Sequence, residues 1–316
     1  MLARTLRLAQ GLELAAAFGI GAWLGARHGW SRIAVAAAIL GWIVGVRLAV
    51  VCASSLLGWV YRSPRKDSER IGLARTIGMV LAEWRSLLAL NLFYLPWDRL
   101  ALRADPLARP TQGVPVLLVH GYFANRGCFR PLVRRLEALG VGPVFAPTFT
   151  TAFASIERFE AELTAAIERI AAGTGQPRVV VVAHSMGGLA ARLHLARHGG
   201  ARVERLVTLA TPHRGTALAA WGVGENARQM RIGSAFLARL ARDEAARSEA
   251  AGGEHLACAC IYSPHDNLVA PQDSGRLPWG EPIAMPGFGH ISLLASRALL
   301  PVLLPQLDAA GVQRRA

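Results

Sequence analysis

Three polar residues, Ser185, Asp266 and His290, lie far apart in the chain, but each has the sequence context that acyl transfer through a serine requires. Ser185 lies in a small residue-X-Ser-X-Gly pattern after an apolar run, which is typical of a serine held on a sharp strand-to-helix turn. Asp266 and then His290 follow later in the chain. Because the order serine, acid, base accompanies this turn, the pattern predicts a serine hydrolase with Ser185 as the nucleophile.

His290 is the predicted general base. It ends the glycine-rich loop Pro286–His290, between the last predicted strand and the last predicted helix, where an imidazole can reach the serine. Asp266 closely follows a predicted strand and is the predicted acid, which would orient the tautomer of His290 and stabilise its charged form. Asp273 is the alternative acid, and a structural role in a turn is the alternative for Asp266.

The neighbouring groups have separate expected roles. The backbone N–H groups of Tyr122 and Met186 are the predicted oxyanion donors, since one follows a His-Gly pair and the other follows the nucleophile. Among the other histidines, His184 is expected to point away from the serine. His213 is expected to order the loop after its strand, and His265 could flank the pocket.

Strands and helices alternate from about residue 114 onward. Continuous β-branched runs separated by amphipathic segments are typical of a parallel sheet that helices cover on both faces. The predicted strands are Val114–Val119, Val144–Pro147, Val179–Val182, Leu206–Ala210, Leu256–Tyr262 and Pro282–Met285. The predicted helices are Cys128–Leu139, Ile156–Ala172, Met186–His198 and Ile291–Leu300. The sequence therefore predicts an α/β fold.

Four motifs within residues 112–300 resemble the α/β-hydrolase family, and within it bacterial triacylglycerol lipases and related esterases. The motifs are His120–Tyr122, Ala183–Gly188, Thr211–Thr216 and Gly233–Leu237. Ala183 replaces the first glycine of the usual serine motif, at a position that needs a very small side chain. The resemblance implies a doubly wound, mostly parallel sheet with a helical lid insert.

The predicted lid is Thr216–Gly253, an insert of helical character at the place where lipases of this fold carry their cap. Several apolar side chains in the lid or beside the catalytic residues are expected to bind the acyl group, with core packing as the alternative for about half of them. These side chains are Phe123, Trp221, Leu268, Val269 and Phe288. Asp266, Asn267 and Asp273 do not form a recognisable calcium loop, so no metal is expected.

The front of the chain differs from the rest. Hydrophobic residues make up 53% of the 316 residues, and the excess lies mainly before residue 100. Leu8–Ala26 and Ile33–Tyr61 are long apolar segments, and a membrane-spanning helix needs about 20 apolar residues. They predict a transmembrane helical hairpin over residues 1–66, with a cleaved signal peptide or a buried helical pair as the alternatives.

Basic residues predict the orientation of this hairpin. Arg4, Arg7, Arg62, Arg65, Lys66 and Arg70 flank its two outer ends, whereas Arg27 and Arg32 lie in the turn. This bias places both ends, and with them the enzyme, on the cytoplasmic side of the inner membrane. The net charge of +14 fits attraction to anionic lipid or an arginine-rich codon usage. Nucleic acid is not an expected partner, because no basic stripe or binding motif is present.

Residues 67–111 are expected to form an amphipathic helix and a linker before the catalytic domain at residues 112–316. Ile71–Leu100 alternates apolar and charged residues, so it would lie on the membrane surface or pack against the enzyme. Ala104–Thr111 contains two prolines and is the predicted linker.

These features predict a membrane-anchored serine hydrolase that cleaves carboxylic esters of lipids or long acyl chains and needs no cofactor. An acyltransferase or a thioesterase would use the same acyl-enzyme. A catalytically silent membrane scaffold is the alternative from a different class, and the complete serine, aspartate and histidine set argues against it. The sequence leaves the oligomeric state open.

Overall fold

A six-stranded parallel sheet forms the centre of the C-terminal two thirds of the chain. The computed structural model describes residues 2–105, 110–150, 152–253 and 255–314. The strands lie in the order β2-β1-β3-β4-β5-β6, and each neighbouring pair is parallel. They are β1 Val116–Val119, β2 Val144–Phe145, β3 Val179–His184, β4 Val203–Leu209, β5 Cys258–Tyr262 and β6 Glu281–Ala284. The prediction of a doubly wound, mostly parallel sheet is confirmed.

Helices cover both faces of the sheet and precede it. They are α1 Leu2–His28, α2 Arg32–Val60, α3 Leu73–Ala89, α4 Asp98–Ala101, α5 Arg130–Ala138, α6 Ile156–Thr174, α7 Met186–His198, α8 Glu225–Gln229, α9 Ala235–Ala250, α10 His290–Ala295 and α11 Leu300–Asp308. A π-helical turn, Leu90–Tyr94, continues α3.

Alternation along β1 shows why both faces are covered. Val116 and Leu118 belong to one hydrophobic core, with side chains of α5, α10 and α11, whereas Leu117 and Val119 belong to a second core with α6, α7 and α9. Because every β1 side chain is buried, the strand appears in the sequence as a continuous apolar run.

The N-terminal helices α1 and α2 pack against each other through small residues. A Cβ atom at Gly21 would lie 3.1 Å from Val35, and one at Gly25 would lie 2.8 Å from it, so close approach depends on the two glycines. Large apolar side chains on the other faces are exposed, including Leu12 at 73% and Ile33 at 82%. The two helices therefore do not form a buried pair that covers the sheet domain.

Three helices among the described residues are long and apolar enough to cross a membrane. They are Leu2–His28, Arg32–Val60 and Leu73–Tyr94, so the structure adds a third candidate to the two segments predicted from the sequence. These helices fit a membrane segment at the front of the chain.

One polar cluster joins all three of these helices. Arg47 of α2 donates to both carboxylate oxygens of Glu13 of α1, and its Nη2 also donates to Oδ1 of Asn91 at 3.0 Å. Arg47 is buried, and a buried arginine needs such a partner, so the cluster explains a charged residue inside an apolar helix.

Both outer ends of the α1–α2 hairpin contact the domain that contains the sheet. Leu2 and Leu6 are buried in the same core as β1, and a Cβ at Gly58 would lie 3.0 Å from Cα of Asn267.

Asp105, in the predicted linker, accepts hydrogen bonds from Arg126 at 2.8 Å and from the Ala146 N–H at 3.0 Å. Residues 106–109 of that linker lie outside the described residues.

Candidate active site

Ser185 stands on a strained turn between β3 and α7. Its φ of 56° and ψ of −128° lie in a region that non-glycine residues rarely adopt, and such strain is characteristic of a functional turn. Glycines allow the chain to pack around the turn: a Cβ at Gly187 would lie 2.7 Å from the His120 carbonyl oxygen, and one at Gly188 would lie 2.1 Å from Thr211 Oγ1. The turn therefore has the geometry that the serine motif predicts.

Asp266 and His290 form a buried pair at the carboxyl edge of the sheet. Nδ1 of His290 lies 2.9 Å from Oδ2 of Asp266. The Asp266 carboxylate also accepts the N–H groups of Leu268 at 2.7 Å and Val269 at 2.8 Å, which fixes its position. Asp273 instead pairs with Arg214 on the surface, with its side chain 42% exposed. The structure thus brings Asp266, and not Asp273, to the histidine.

The charge of Asp266 controls the protonation of His290. Burial lowers the pKa of His290, but the Asp266 carboxylate, through its charge and its hydrogen bond, and the charge of Glu83 act in the opposite direction. The net effect raises the pKa of His290 above its ordinary value. Because Nδ1 faces Asp266, Nε2 is the ring nitrogen left for proton transfer.

Ser185 and His290 line one cavity of about 330 Å³. In the part of the chain that the structure describes, no hydrogen bond joins the Ser185 hydroxyl to the His290 ring. Catalytic hydrogen bonds are often long in enzymes without substrate and tighten in the complex. The volume and the mainly apolar wall suit an acyl chain.

Of the predicted oxyanion donors, Tyr122 lies in the loop after β1 and Met186 directly follows Ser185. Met186 is the first residue of α7, and a Cβ at Gly121 would lie 2.7 Å from the Ser185 Cβ and 3.3 Å from the Met186 nitrogen. Among the described residues, neither N–H donates a hydrogen bond to another protein group. Both are therefore available for a developing negative charge beside Ser185.

The structure separates the predicted acyl-site residues into two groups. Phe123, Leu268 and Val269 line the cavity, together with Tyr122. Trp221 does not line it and is 74% exposed, because it lies at the end of the 3₁₀ turn Ala217–Trp221 and points outward. Phe288 lines a neighbouring cavity instead.

The sequence profile of the Alpha/beta hydrolase family matches residues 116–308. The chain belongs to this family. Among solved structures, this hydrolase is similar to the mature form of Bacillus licheniformis lipase BlEst2, with a TM-score of 0.53 and 18% identity over 65% of this chain and 96% of that chain. It is also similar to Aspergillus fumigatus lipase B, with a TM-score of 0.56 and 15% identity over 84% of this chain and 81% of that chain. At these identities the likeness shows the fold alone. No curated protein matches the chain.

The predicted lid of the hydrolase has two parts with different surroundings. The first part, before α9, lines the cavity with five residues: Leu218, Ala219, Gly222, Ala227 and Met230. It is attached to the loop after β1, because the Tyr122 hydroxyl donates to the Val223 carbonyl at 2.8 Å and accepts its N–H at 3.0 Å. The second part, α9, packs on α7, where Glu244 pairs with Arg192 at 2.6 Å.

Residues from the N-terminal segment of the hydrolase also line the cavity, and sequence reasoning did not assign them there. They are Leu87, Leu90, Asn91 and Leu95. The apolar spacing of this segment was visible in the sequence, but the same spacing serves a membrane surface or any packed helix. Only the tertiary structure places it at the cavity.

Glu83 of α3 is a second feature that sequence reasoning missed. Its carboxylate is buried and accepts the N–H groups of Ile291 at 3.0 Å and Ser292 at 2.7 Å, in the first turn of α10. His290 is the first residue of that helix. A carboxylate at a helix N-terminus satisfies unpaired N–H groups and interacts favourably with the helix dipole, so Glu83 holds the turn that carries His290.

A third contact joins α2 to the same loop. Oδ1 of Asn267 accepts the N–H of His290 at 2.9 Å, while its Nδ2 donates to Oγ of Ser54 at 2.8 Å. Gln272 donates to the carbonyl oxygens of both Gly58 and Asp266. Helices α2 and α3 of the hydrolase therefore both position the loops that carry Asp266 and His290.

His184, His213 and His265 are buried. His184 does not stand apart from the site: it lines the cavity, and its ring centroid lies 4.8 Å from that of His290. Nε2 of His213 lies 3.1 Å from Thr208 Oγ1, which fixes the loop after β4 as predicted. His265 accepts the Gly287 N–H at 3.2 Å and so supports the loop that leads to His290. Burial lowers the pKa of His184 to about 3 and that of His265 to about 4.

One group of side chains has the donor types of a metal site. Ligand atoms of Glu160, His194 and His198 lie within 4.8 Å of one another, between α6 and α7. The Glu160 carboxylate already accepts hydrogen bonds from Arg197 at 2.6 Å and Thr164 at 2.7 Å. Because an arginine neutralises the carboxylate, this group is explained as an ion-pair network between the two helices.

Proposed function

We propose that this hydrolase cleaves carboxylic esters of lipids or of long acyl chains through an acyl-enzyme on Ser185. The observation that supports this most directly is the buried Asp266–His290 pair beside a strained serine at an apolar cavity of about 330 Å³. An acyl chain fits the apolar wall, and the serine and histidine stand at the place where an ester carbonyl would lie.

His290 carries out two proton transfers in each half of the proposed reaction, acylation and deacylation. Nε2 of His290 takes the proton of the Ser185 hydroxyl as Oγ attacks the ester carbonyl, and the backbone N–H groups of Tyr122 and Met186 bind the oxyanion. His290 then gives the proton to the leaving alcohol as the ester C–O bond breaks. Water repeats the sequence on the acyl-enzyme and releases the acid, while Asp266 stabilises the imidazolium each time.

We further propose that α1 and α2 anchor the enzyme in the inner membrane, with the catalytic domain on the cytoplasmic side. Exposed apolar side chains on both helices support an anchor, and the basic residues at the outer ends support the orientation. Leu87, Leu90 and Leu95, in or just after the third apolar helix, form part of the cavity wall, so we expect an ester in the bilayer to enter the site from this side.

A fluorophosphonate probe and a series of esters test the proposal. The probe should label the detergent-purified wild-type chain and leave Ser185→Ala unlabelled, and esters with longer acyl chains should be hydrolysed with a higher kcat/KM than acetyl esters. Ser185→Ala should lose roughly 10⁶-fold in kcat, as triad serines do in other enzymes. Wild-type turnover in a folded Ser185→Ala variant would refute the assignment of the nucleophile.

A further inference from the structure

A second cavity of about 640 Å³ lies beside the proposed catalytic cavity. The two cavities share Leu90, Cys128 and Ile291 in their walls. The second one is open to solvent and is lined by α3, the π-helical turn after it, α5 and the start of α10. The two cavities therefore adjoin, and a molecule with two parts could place one part in each.

The second cavity carries positive charge without a counter-ion. Arg85 of α3 and Arg135 of α5 line it, and no aspartate or glutamate is among its lining residues in the described part of the chain. Neither arginine forms an ion pair with another described residue, and Nη1 of Arg135 is buried without a hydrogen-bond partner. Burial and then the charge of Arg297 lower the pKa of Arg135.

Glu83, the one acidic residue of α3, forms no ion pair with either arginine among the described residues. Glu83 lies two positions before Arg85, but its oxygens are bound by the backbone of α10. Arg130, on the same helix as Arg135, has its guanidinium 5.1 Å from the centre of the Tyr94 ring, and Tyr94 also lines the cavity. Unpaired guanidinium groups around a cavity favour an anion, and arginine binds phosphate oxygens through two parallel hydrogen bonds.

We propose that this cavity binds the phosphate of a glycerophospholipid whose acyl ester lies at Ser185. The proposal rests on the proposed ester hydrolysis and names its substrate class. The products are a fatty acid and a lysophospholipid: water supplies the hydroxyl of the acid, and the glycerol oxygen keeps the proton that His290 delivers. Phe288 and Phe93 add apolar walls to the second cavity. These walls suit a phosphate that is joined to a lipid more than a free anion.

Substrates that differ only in the head group test this inference. The full chain in detergent micelles is assayed with phosphatidylglycerol, with diacylglycerol of the same acyl chains, and with a p-nitrophenyl ester of one such chain. Arg135→Gln should lower kcat/KM for phosphatidylglycerol roughly 10- to 100-fold, the loss expected for a charged hydrogen-bonded pair. The kcat/KM values for the other two substrates should change less than about twofold. Arg85→Gln, a surface change that leaves the core intact, should act in the same direction.

Arg134→Gln is the matched control, because Arg134 neighbours Arg135 on α5 but is exposed and does not line the cavity. Its three rates should equal those of the wild type. Equal losses on all three substrates in Arg135→Gln, or no loss on phosphatidylglycerol in either cavity variant, would overturn the proposal. Inhibition of p-nitrophenyl ester turnover by inorganic phosphate, without any preference for phosphatidylglycerol, would assign the cavity to a free anion and overturn it as well. If the wild type hydrolyses none of the three esters, the proposed function itself fails.

Discussion

The carboxylate of Glu83 accepts the backbone N–H of Ser292 at 2.7 Å, although the two residues lie 209 positions apart in the chain. Ser292 is in the first turn of the helix that begins with His290, so a helix of the apolar N-terminal segment holds the turn that presents the proposed base. A carboxylate buried in this way is stable only while the N–H groups satisfy it. The front of the chain is thus part of the site and does more than precede it.

Replacing Glu83 with glutamine should lower kcat about 10-fold, because an amide brings an N–H₂ group toward N–H donors and removes the negative charge at the start of the helix. KM for a short soluble ester should change little, since Glu83 does not line the cavity. Glu137→Gln is the control, because Glu137 lies exposed on α5. Equal kcat values for Glu83→Gln and the wild type would refute this role.

The pH profile separates positioning from a merely structural role. His290 must be neutral to accept the serine proton, so kcat/KM should fall as the pH drops through its pKa. Asp266 and Glu83 both raise that pKa, so the acid limb should lie above the ordinary histidine value of about 6.5. Removing the Glu83 charge lowers the pKa, and the limb of Glu83→Gln should shift to lower pH. A loss of activity with an unmoved limb would contradict the electrostatic part of the argument.

The acid can be identified by a pair of asparagine variants. Asp266→Asn should reduce kcat about 10⁴-fold, because the amide leaves the imidazole in the wrong tautomer, as in other serine triads. Asp273→Asn should keep wild-type turnover, since Asp273 bonds to Arg214 and Ser63 and not to His290. Stopped-assay kcat values on one ester decide between them: an inactive Asp273→Asn beside an active Asp266→Asn would reassign the acid.

Local patterns explain what the sequence predicted of this fold. The helix Met186–His198 has the predicted bounds, because a glycine pair and a buried apolar run define its ends and its face. The meeting of Asp266 with His290 follows from chain order, since parallel strands bring the loops at their carboxyl ends to one edge. Glu83 and Ser54 were not predicted, because their partners are more than 200 positions away and a polar residue on an apolar helix has no local signature of its partner. The exposed position of Trp221 was missed for a similar reason: sequence shows that the lid is apolar but not which side chains face the cavity.

Alanine variants at two glycines of α2, Gly58 and Gly41, test whether this helix positions the loop that carries Asp266. A Cβ at Gly58 would lie 3.0 Å from Cα of Asn267 and 3.1 Å from the Asp266 carbonyl oxygen, so Gly58→Ala must displace backbone atoms beside the acid. A displacement of about 1 Å can cost up to about 100-fold in rate, and a smaller shift should lower kcat about 10-fold. Gly41→Ala is the matched control on the same helix, because a Cβ there meets nothing within 4 Å. Equal kcat values for the two variants would show that α2 does not position the loop.

Reporter fusions test the side of the membrane on which the enzyme lies. Both ends of the α1–α2 hairpin contact the catalytic fold, through Leu6 at one end and Gly58 at the other, so the turn at residues 29–31 must point away from it. A reporter active only in the periplasm, fused after the last residue, should stay silent, while a cytoplasmic reporter should be active. This follows because five basic residues, Arg4, Arg7, Arg62, Arg65 and Lys66, flank the two ends against Arg27 and Arg32 at the turn.

The opposite pattern of reporters would place the enzyme in the periplasm. That result would mean an inverted hairpin, whose two ends both lie against the enzyme, or an α1 that does not cross because Glu13 interrupts its apolar run and that loses its contacts with the enzyme. A cysteine introduced at Gly29 tests the proposed orientation against both alternatives: an impermeant thiol reagent added outside the inner membrane labels it only if the turn is periplasmic. The proposed orientation requires labelling at this position together with a silent periplasmic reporter. Recovery of the full chain in the soluble fraction without detergent would refute the anchor itself, because the exposed apolar side chains of α1 and α2 would then need another cover.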